Sequence, residues 1–501
     1  MTRSSAPDVM TISPNRLNHQ LDSNRPRENF ATHTLALGWP AVTAPRSERG
    51  SVSHSTPASQ CAETEPDRSR PRNCRGSQTR GPSLERDCAS RSDRTEGAGD
   101  HDVFVANAKR PVADRRPALP LRCALAVVFA LGFASLNLLP GAQAAPLKTQ
   151  NVFLIISDGF RWQEVFNGAE ADLMTKENGG VRDTNALRLA FWRATPQERR
   201  EALLPFFWTE IARRGQLFGN QEKGSSVTVT NGKRFSYPGY NEILTGAPDP
   251  RVDSNDKKPN ANVTVFEWLN GRPGLRNRVA VFGTWDVFPY IFNIERSRLP
   301  IWPVWESKFG PHEIPSPQFV SDLLRDTTPM WEDVTYDSFL FHTAMDYLKR
   351  KQPRLMFVGF GETDEWAHAG RYDLYLTAAH HVDDFVRRLW ELAQSLPQYR
   401  AKTTFILTAD HGRGNGLNWT KHGEKVPESE ADWIAVIGPD TPPVGERTRT
   451  EPHTESQIAA TIATLLGEDY HAAVPGSGPP ISDVLAGSES GKPRAGRSRP
   501  Q

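Results

Sequence analysis

The chain has 501 residues and a formal net charge of +1 at neutral pH, which gives it no overall attraction to nucleic acid or to any strongly charged partner. Its length allows roughly two to four domains, but the composition is uneven and only part of it has the pattern of a packed core. Residues 1–114 are rich in Arg, Ser, Pro, Asp and Thr and contain no periodic apolar pattern, so they cannot bury enough surface to offset the entropy of ordering. They are expected to be disordered or, if the true start lies downstream, not translated. Asp87, Asp93, Glu96, Asp100 and Asp102 interrupt the basic residues and argue against a nucleic-acid-binding arm.

Residues 115–144 have the layout of a secretory signal peptide. Arg115, Arg116 and Arg122 precede the apolar run Cys123–Leu139, and Ala142-Gln143-Ala144 forms a small-residue cleavage site. The run contains Gly132, Ser135 and Asn137 and is short against the ~20 apolar residues of a membrane span. Export to a periplasm or to the medium, with cleavage after Ala144 and no stable membrane anchor, is the expectation. All four cysteines (Cys61, Cys74, Cys88 and Cys123) precede that cleavage site, so a mature chain would need no disulfides and could have neither thiolate metal sites nor a cysteine nucleophile.

Residues 145–475 alternate strand and helix patterns and are expected to form one catalytic α/β domain, a doubly wound, mostly parallel sheet flanked by helices. Asn151–Ser157 is a short continuous apolar run, the mark of a buried parallel strand. Ala186–Gly215 is amphipathic and helical, with an interruption at Thr195-Pro196. Val279–Phe282 is a further strand, and Ser316–Asp326 and Thr335–Lys351 are helices. Leu355–Phe360 is a strand, Tyr372–Leu396 a long amphipathic helix, Thr404–Thr408 and Trp433–Ile437 strands, and Ser456–Leu466 a helix. Residues 476–501 are Gly-, Ser-, Pro- and Arg-rich and read as a flexible tail.

Three of these strands end in ligand-type residues. The first runs into Asp158-Gly159. Leu355–Phe360 runs into Gly361-Glu362-Thr363-Asp364, with His368 four residues on, a spacing that puts both side chains on one helical face. Thr404–Thr408 runs into Ala409-Asp410-His411-Gly412. Open α/β sheets bind ligands just past the carboxyl ends of their strands. Carboxylates and imidazoles gathered there are a ligand set for two metal ions.

Ser157-Asp158-Gly159, Ser236 in FSYPGYNEILTG, Asp364 with His368, and Asp410-His411-Gly412 occur in an order that resembles the alkaline phosphatase superfamily, nearest to its type I phosphodiesterase/nucleotide pyrophosphatase branch. The resemblance spans about Asn151 to Gly467. It implies a central, mostly parallel sheet and a site for two divalent ions, with zinc favoured and manganese or magnesium used in some branches. Carried over residue by residue, it implies that Asp158, Asp410 and His411 bind the ion that activates a nucleophile, and that Asp364 and His368 bind the second. His422, shortly before the Trp433 strand, is favoured as a further ligand to the second ion, with His453 the competitor. Ser236 takes the nucleophile position and a shared-ligand role, and Thr228 and Thr230 are outside candidates. Gly239 departs from the branch's Asn after Pro.

Asn241, Arg161 and Arg413 are candidate substrate-binding groups, and Lys233 lies beside them in the pattern. Phe160 and Trp162 fit core packing better than stacking on a substrate; His380 and His381 read as packing or surface residues, and Asp373 as either support for His368 or an exposed helix-start residue. The expected function is hydrolysis of a small-molecule phosphate ester, diester or monoester, through a metal-activated serine, with no nucleic-acid partner. The alternatives are a phosphoglycerate mutase-like enzyme, a phosphonate or sulfate ester hydrolase of the same superfamily, and a non-catalytic metal-binding protein. The segment Ser236-Tyr237-Pro238-Gly239-Tyr240 lacks the Arg of the sulfatase pattern, and the stretch between Ser236 and Asp364 is short for the inserted domain of the mutases.

Overall fold

The computed structural model describes residues 146–305 and 310–485. The expectations for residues 1–114 and for the signal peptide at 115–144 lie outside the described residues. Eleven strands are used below: β1 (Asn151–Ser157), β2 (Gln216–Phe218), β3 (Val227–Thr228), β4 (Val279–Gly283), β5 (Ile301–Trp302), β6 (Leu355–Phe360), β7 (Thr403–Thr408), β8 (Ala431–Asp432), β9 (Ile434–Ile437), β10 (Gly445–Glu446) and β11 (His453–Thr454). Five helices matter for the site: α1 (Ser236–Thr245), α2 (Asp337–Lys351), α3 (Glu362–His368), α4 (Tyr372–Ser395) and α5 (Ile458–Leu465).

An eight-stranded sheet in the order β10-β2-β9-β7-β1-β6-β4-β5 forms the centre, and β11-β3-β8 forms a small second sheet. β1 pairs parallel with both β6 and β7, and β4 continues the parallel series. β9 runs antiparallel to β7 and β2, which makes the sheet mixed rather than purely parallel. Side chains alternate across the sheet as a pleated strand requires. Phe153 and Ile155 join one apolar cluster, which includes residues of α2 and α4, whereas Val152, Leu154 and Ile156 join the other, which includes residues of α1 and α5.

Local chemistry explains the breaks. Thr195 caps a helix at Pro196–Leu203 through a reciprocal capping box with Glu198, with Pro196 in its first turn, so the expected Ala186–Gly215 helix is interrupted there. Trp433 stands between β8 and β9, so that strand begins one residue later than expected. The chain stays packed past Pro475: Ile481 and Val484 are buried, and Arg447 pairs with Asp483 at 2.7 Å. This corrects the boundary expected for the flexible tail; residues 486–501 lie outside the described residues. Among the described residues no helix is long and apolar enough to cross a membrane.

Register positions the site. Ile156 sits beside Gly359 on one side and Thr408 on the other. The residues that follow, Asp158, Gly361 and Asp410, therefore emerge together at the carboxyl edge of the three central strands.

Candidate metal centre

Asp158 leaves β1, Asp410 and His411 leave β7, and α3 carries Asp364 and His368 on one face, with His368 Nε2 3.1 Å from Asp364 Oδ2. Two glycines allow this crowding. Gly159 has φ +58°, and a Cβ there would collide with Asp364 Oδ1. A Cβ on Gly239 would collide with the carbonyl oxygen of Asp410, so the first turn of α1 packs directly on the end of β7. That close approach gives Gly239 a packing role in place of the side-chain contact that an Asn would bring.

Hydrogen bonds fix the imidazoles. His411 Nδ1 lies 3.0 Å from the Gly412 carbonyl and His422 Nδ1 3.1 Å from the Arg234 carbonyl. A carbonyl only accepts, so each Nδ1 donates, and in the neutral ring Nε2 keeps its lone pair. His411 Nε2 stands 3.5 Å from Asp158 Oδ1, 3.7 Å from Asp410 Oδ2 and 3.8 Å from Asp364 Oδ1. Asp158 Oδ1, Asp410 Oδ2 and His411 Nε2 are all buried without a hydrogen-bond partner. His422 Nε2 is 3.0 Å from His368 Nε2, and the His411 and His422 rings stack with centroids 4.0 Å apart.

Lone pairs of imidazoles and carboxylates that face one another across these gaps repel unless a cation lies between them. The spacings approach the ~3.3 Å ligand–ligand edge of a tetrahedral ion with ~2.0–2.1 Å bonds to nitrogen. Two groups meet the requirement of one ligand atom each within 4.8 Å of the others, Asp158–Asp364–His411 and Asp364–His368–His422. Protons respond to the same field. Burial alone would lower the pKa of His411, but Asp410, Asp158 and Asp364 outweigh it and push the imidazole up to about 10. Burial and the Asp158 charge push the Asp410 carboxyl well above the usual carboxylate range. Burial and the neighbouring His411 push His422 down to about 2. The residues present therefore fit divalent cations.

Ser236 is buried at the start of α1, and it lines a cavity of about 170 Å³ together with Asp158, Asp364 and His368. Two neighbours of Ser236 escaped sequence reasoning. Asn255 lines the same cavity, and its Oδ1 accepts the Tyr237 N–H at 3.0 Å, so its amide NH₂ remains to donate elsewhere. It lies in an Asp- and Lys-rich loop, where nothing in the sequence marks it. Tyr240 donates its hydroxyl to Asp158 Oδ2 at 2.9 Å. Its i+4 spacing from Ser236 on α1 is a signal that could have found it.

Several expected groups lie elsewhere. Asn241 does not reach the cavity: its Oδ1 accepts from Asn260 and Asn262 at 3.1 and 3.0 Å, and its amide donates to the Ala247 carbonyl. Arg161 is fully buried, ion-paired with Glu164 and Glu170 and bonded to the Gly414 carbonyl, so it braces the core instead of meeting a substrate. Arg413 is brought to the ligand cluster but not to the cavity. Its guanidinium is buried against Asp364 and donates to the Thr420 carbonyl at 2.9 Å. His453 is separate from the cluster, edge-on to Phe218 and bonded to Gln457. Asp373 pairs with Arg371 at 2.9 Å instead of supporting His368. Phe160 and Trp162 are buried in the core, His380 bonds the Leu203 carbonyl, and Lys233 faces Glu424 at 3.8 Å. Thr230 donates to Glu242.

Comparison with known proteins places these features. Residues 331–469, which hold Asp364, His368, Asp410, His411, His422 and His453, match the model of the Metalloenzyme superfamily. A 2,3-bisphosphoglycerate-independent phosphoglycerate mutase of Haloarcula marismortui is 25% identical over 138 residues, 28% of this chain and 25% of that protein. The match thus spans about a quarter of the length of this curated relative. A phosphonate monoester hydrolase from Silicibacter pomeroyi has a similar structure, with a TM-score of 0.43 at 15% identity over 70% of this chain and 78% of that one. A 2-O GAG sulfatase gives 0.41 at 14% over 69% and 76%. A protein in the alkaline phosphatase superfamily from Vibrio parahaemolyticus gives 0.38 at 14% over 68% and 72%.

Proposed function

We propose that this chain, similar over residues 331–469 to the Metalloenzyme superfamily, is an exported metal-dependent hydrolase that cleaves phosphate esters through Ser236. One observation carries the reading: Ser236, a buried hydroxyl at a helix N-terminus, lines the same small cavity as Asp158, Asp364 and His368. Asp158, Asp410 and His411 would hold one divalent ion, zinc by preference for this nitrogen-rich, thiol-free set, and Asp364, His368 and His422 the other. Such ions, when bound, neutralise a phosphate ester and make a hydroxyl nucleophilic near neutral pH.

The protein's own groups supply the rest. The N-terminal end of α1 favours negative charge at Ser236 and at a phosphoryl oxygen beside it. Asn255, anchored by the Tyr237 N–H, offers its amide to a non-bridging oxygen. Tyr240 and the Gly159 N–H, which donates to Asp410 Oδ1 at 3.0 Å, hold two carboxylates in the orientation their role requires. Ser236 Oγ loses its proton to solvent and forms a bond to phosphorus as the bond to the leaving alcohol oxygen breaks, and that oxygen takes up a proton from solvent. Water then attacks the phosphoserine, returns the serine hydroxyl and releases phosphate or, from a diester, its monoester.

A panel of nitrophenyl phosphate, phosphodiester, phosphonate and sulfate esters, run with metal analysis, tests the reading. Full activity after exhaustive chelation, with no bound metal, would overturn it. Export rests on residues 115–144 alone, and N-terminal sequencing of protein from the medium or periplasm of a native-like host is expected to begin near Ala145.

A further inference from the structure

The cavity that holds Ser236 has a second wall, built from Trp285, Asp333, Val334, Gly361 and Glu365. This wall is rigidly made. Trp285 and Val334 form an antiparallel bridge, the Thr335 N–H donates to the Thr284 carbonyl at 2.8 Å, and the Asp286 N–H donates to the Asp333 carbonyl at 2.9 Å. The paired segments bring Trp285, half-buried and edge-on to Phe288, and the exposed Asp333 to the same side of the cavity. Glu365, half-buried on α3, completes the wall. Among the described residues no lysine or arginine lines this cavity. Asp158, nine-tenths buried and with Oδ1 unpartnered, lines it too, so the acidic wall and the reaction site share one space.

We infer that this wall is a subsite for a cationic organic group, and that the substrate is the phosphate monoester of a small amino or quaternary-ammonium alcohol. The inference rests on the hydrolase reading above, because it assigns the leaving alcohol to a place within that same cavity. Three features of the wall select the class. The exposed carboxylate of Asp333 at the rim of the cavity attracts positive charge and repels a second anion, which disfavours phosphoglycerate and polyphosphates. The indole of Trp285 supplies a π face that attracts an ammonium group. The volume of about 170 Å³ falls below the roughly 300–1,000 Å³ of sites that enclose drug-sized ligands, which suits a head group of a few carbon atoms. In the reaction the ester and one water give the free amino alcohol and inorganic phosphate, with no further reactant.

The test uses phosphocholine, 3-phosphoglycerate and nitrophenyl phosphate with the zinc-loaded protein, and choline alone in calorimetry. The expected result is a kcat/KM for phosphocholine at least roughly tenfold above that for 3-phosphoglycerate, together with measurable choline binding. Asp333→Asn and Trp285→Leu are expected each to reduce both the preference and the choline affinity by roughly tenfold, with zinc content unchanged. Trp285→Phe, which keeps a ring, should recover part of the loss. Choline binding that both variants weaken, in a protein that cleaves no phosphate ester, would support the subsite and overturn the hydrolase reading instead. Cleavage of esters with no preference for the cationic alcohol, or choline binding that neither variant changes, would overturn the subsite and leave the hydrolase reading standing.

Discussion

The two groups of ligand-type residues share the neighbourhood of Asp364 and differ in depth. Asp158, Asp410 and His411 are 6%, 0% and 0% exposed, and each has a second contact that holds it: the Tyr240 hydroxyl, the Gly159 N–H and the Gly412 carbonyl. In the other group the His368 side chain is 48% exposed, and His422 sits in a loop held through the Arg234 carbonyl. Their proton affinities differ as well, through the charges around them. The inner group draws a proton to His411 up to about 10, while the outer His422 stays neutral down to about 2. The inner residues turn unpaired lone pairs toward one buried point that favours a positive charge, whereas of the outer residues His368 is half-exposed and lines the cavity.

The inner cage is the place to break this comparison first. Asp410→Ala removes a fully buried carboxylate and is expected to lower kcat/KM on the order of 10³-fold or more, with loss of metal measured by elemental analysis. A variant that keeps both metal and rate would show that the buried cage is structural. Ser236→Ala should lower kcat by a comparable factor yet leave metal content nearly intact, because the cage keeps its other ligands. Hydrolysis of an isotopically chiral phosphate ester should proceed with retention at phosphorus, since two in-line steps each invert. Inversion would remove Ser236 from its role even with the metal site confirmed.

Much of this cage was legible in the sequence, because its residues follow strands whose apolar runs are short and continuous. β1, β6 and β7 were placed to within a residue, and Asp158, Asp364, Asp410 and His411 follow from their ends. What stayed hidden depends on chain crossings. β2, β3, β5, β8, β10 and β11 have two or three residues each, too few to show a period. Asn255 and Trp285 meet Ser236 only through tertiary contact. The three expected substrate groups failed for one shared reason: a residue next to a motif can be buried by the packing that makes the motif, as Arg161 is by Glu164 and Glu170, Arg413 by Asp364, and Asn241 by Asn260 and Asn262.

The outer group sharpens the comparison with a smaller effect. His422→Ala leaves the inner cage complete and should weaken one of two bound metals by at least roughly 10–100-fold in affinity, the cost of losing even an outer-shell partner of a ligand. His453→Ala should leave both metals in place, since that ring packs on Phe218 away from the cluster. Competitive titration of the metal-loaded protein with a chelator distinguishes these outcomes, and the reverse pattern would exchange the two histidines.

The smallest effect is a pH dependence that only the inner cage should show. In metal-free protein, burial opposes a charge on His411, but Asp410 and its neighbours raise its pKa from 6.5 to about 10. A group whose folded pKa is raised stabilises the fold fully below its unfolded pKa and loses that stabilisation as pH rises through the folded value. Chelated protein is therefore expected to melt a few degrees lower as pH is raised from about 6.5 to about 10. Metal-loaded protein should not follow, because the ion takes the place of the proton, and binding in a weakly buffered solution at pH 8 should release protons. His411→Gln should flatten the slope of the chelated protein, while His422→Gln, which replaces an imidazole already neutral in this range, should leave it unchanged. Equal slopes in the chelated and loaded forms would mean that the inner carboxylates do not compete for a cation.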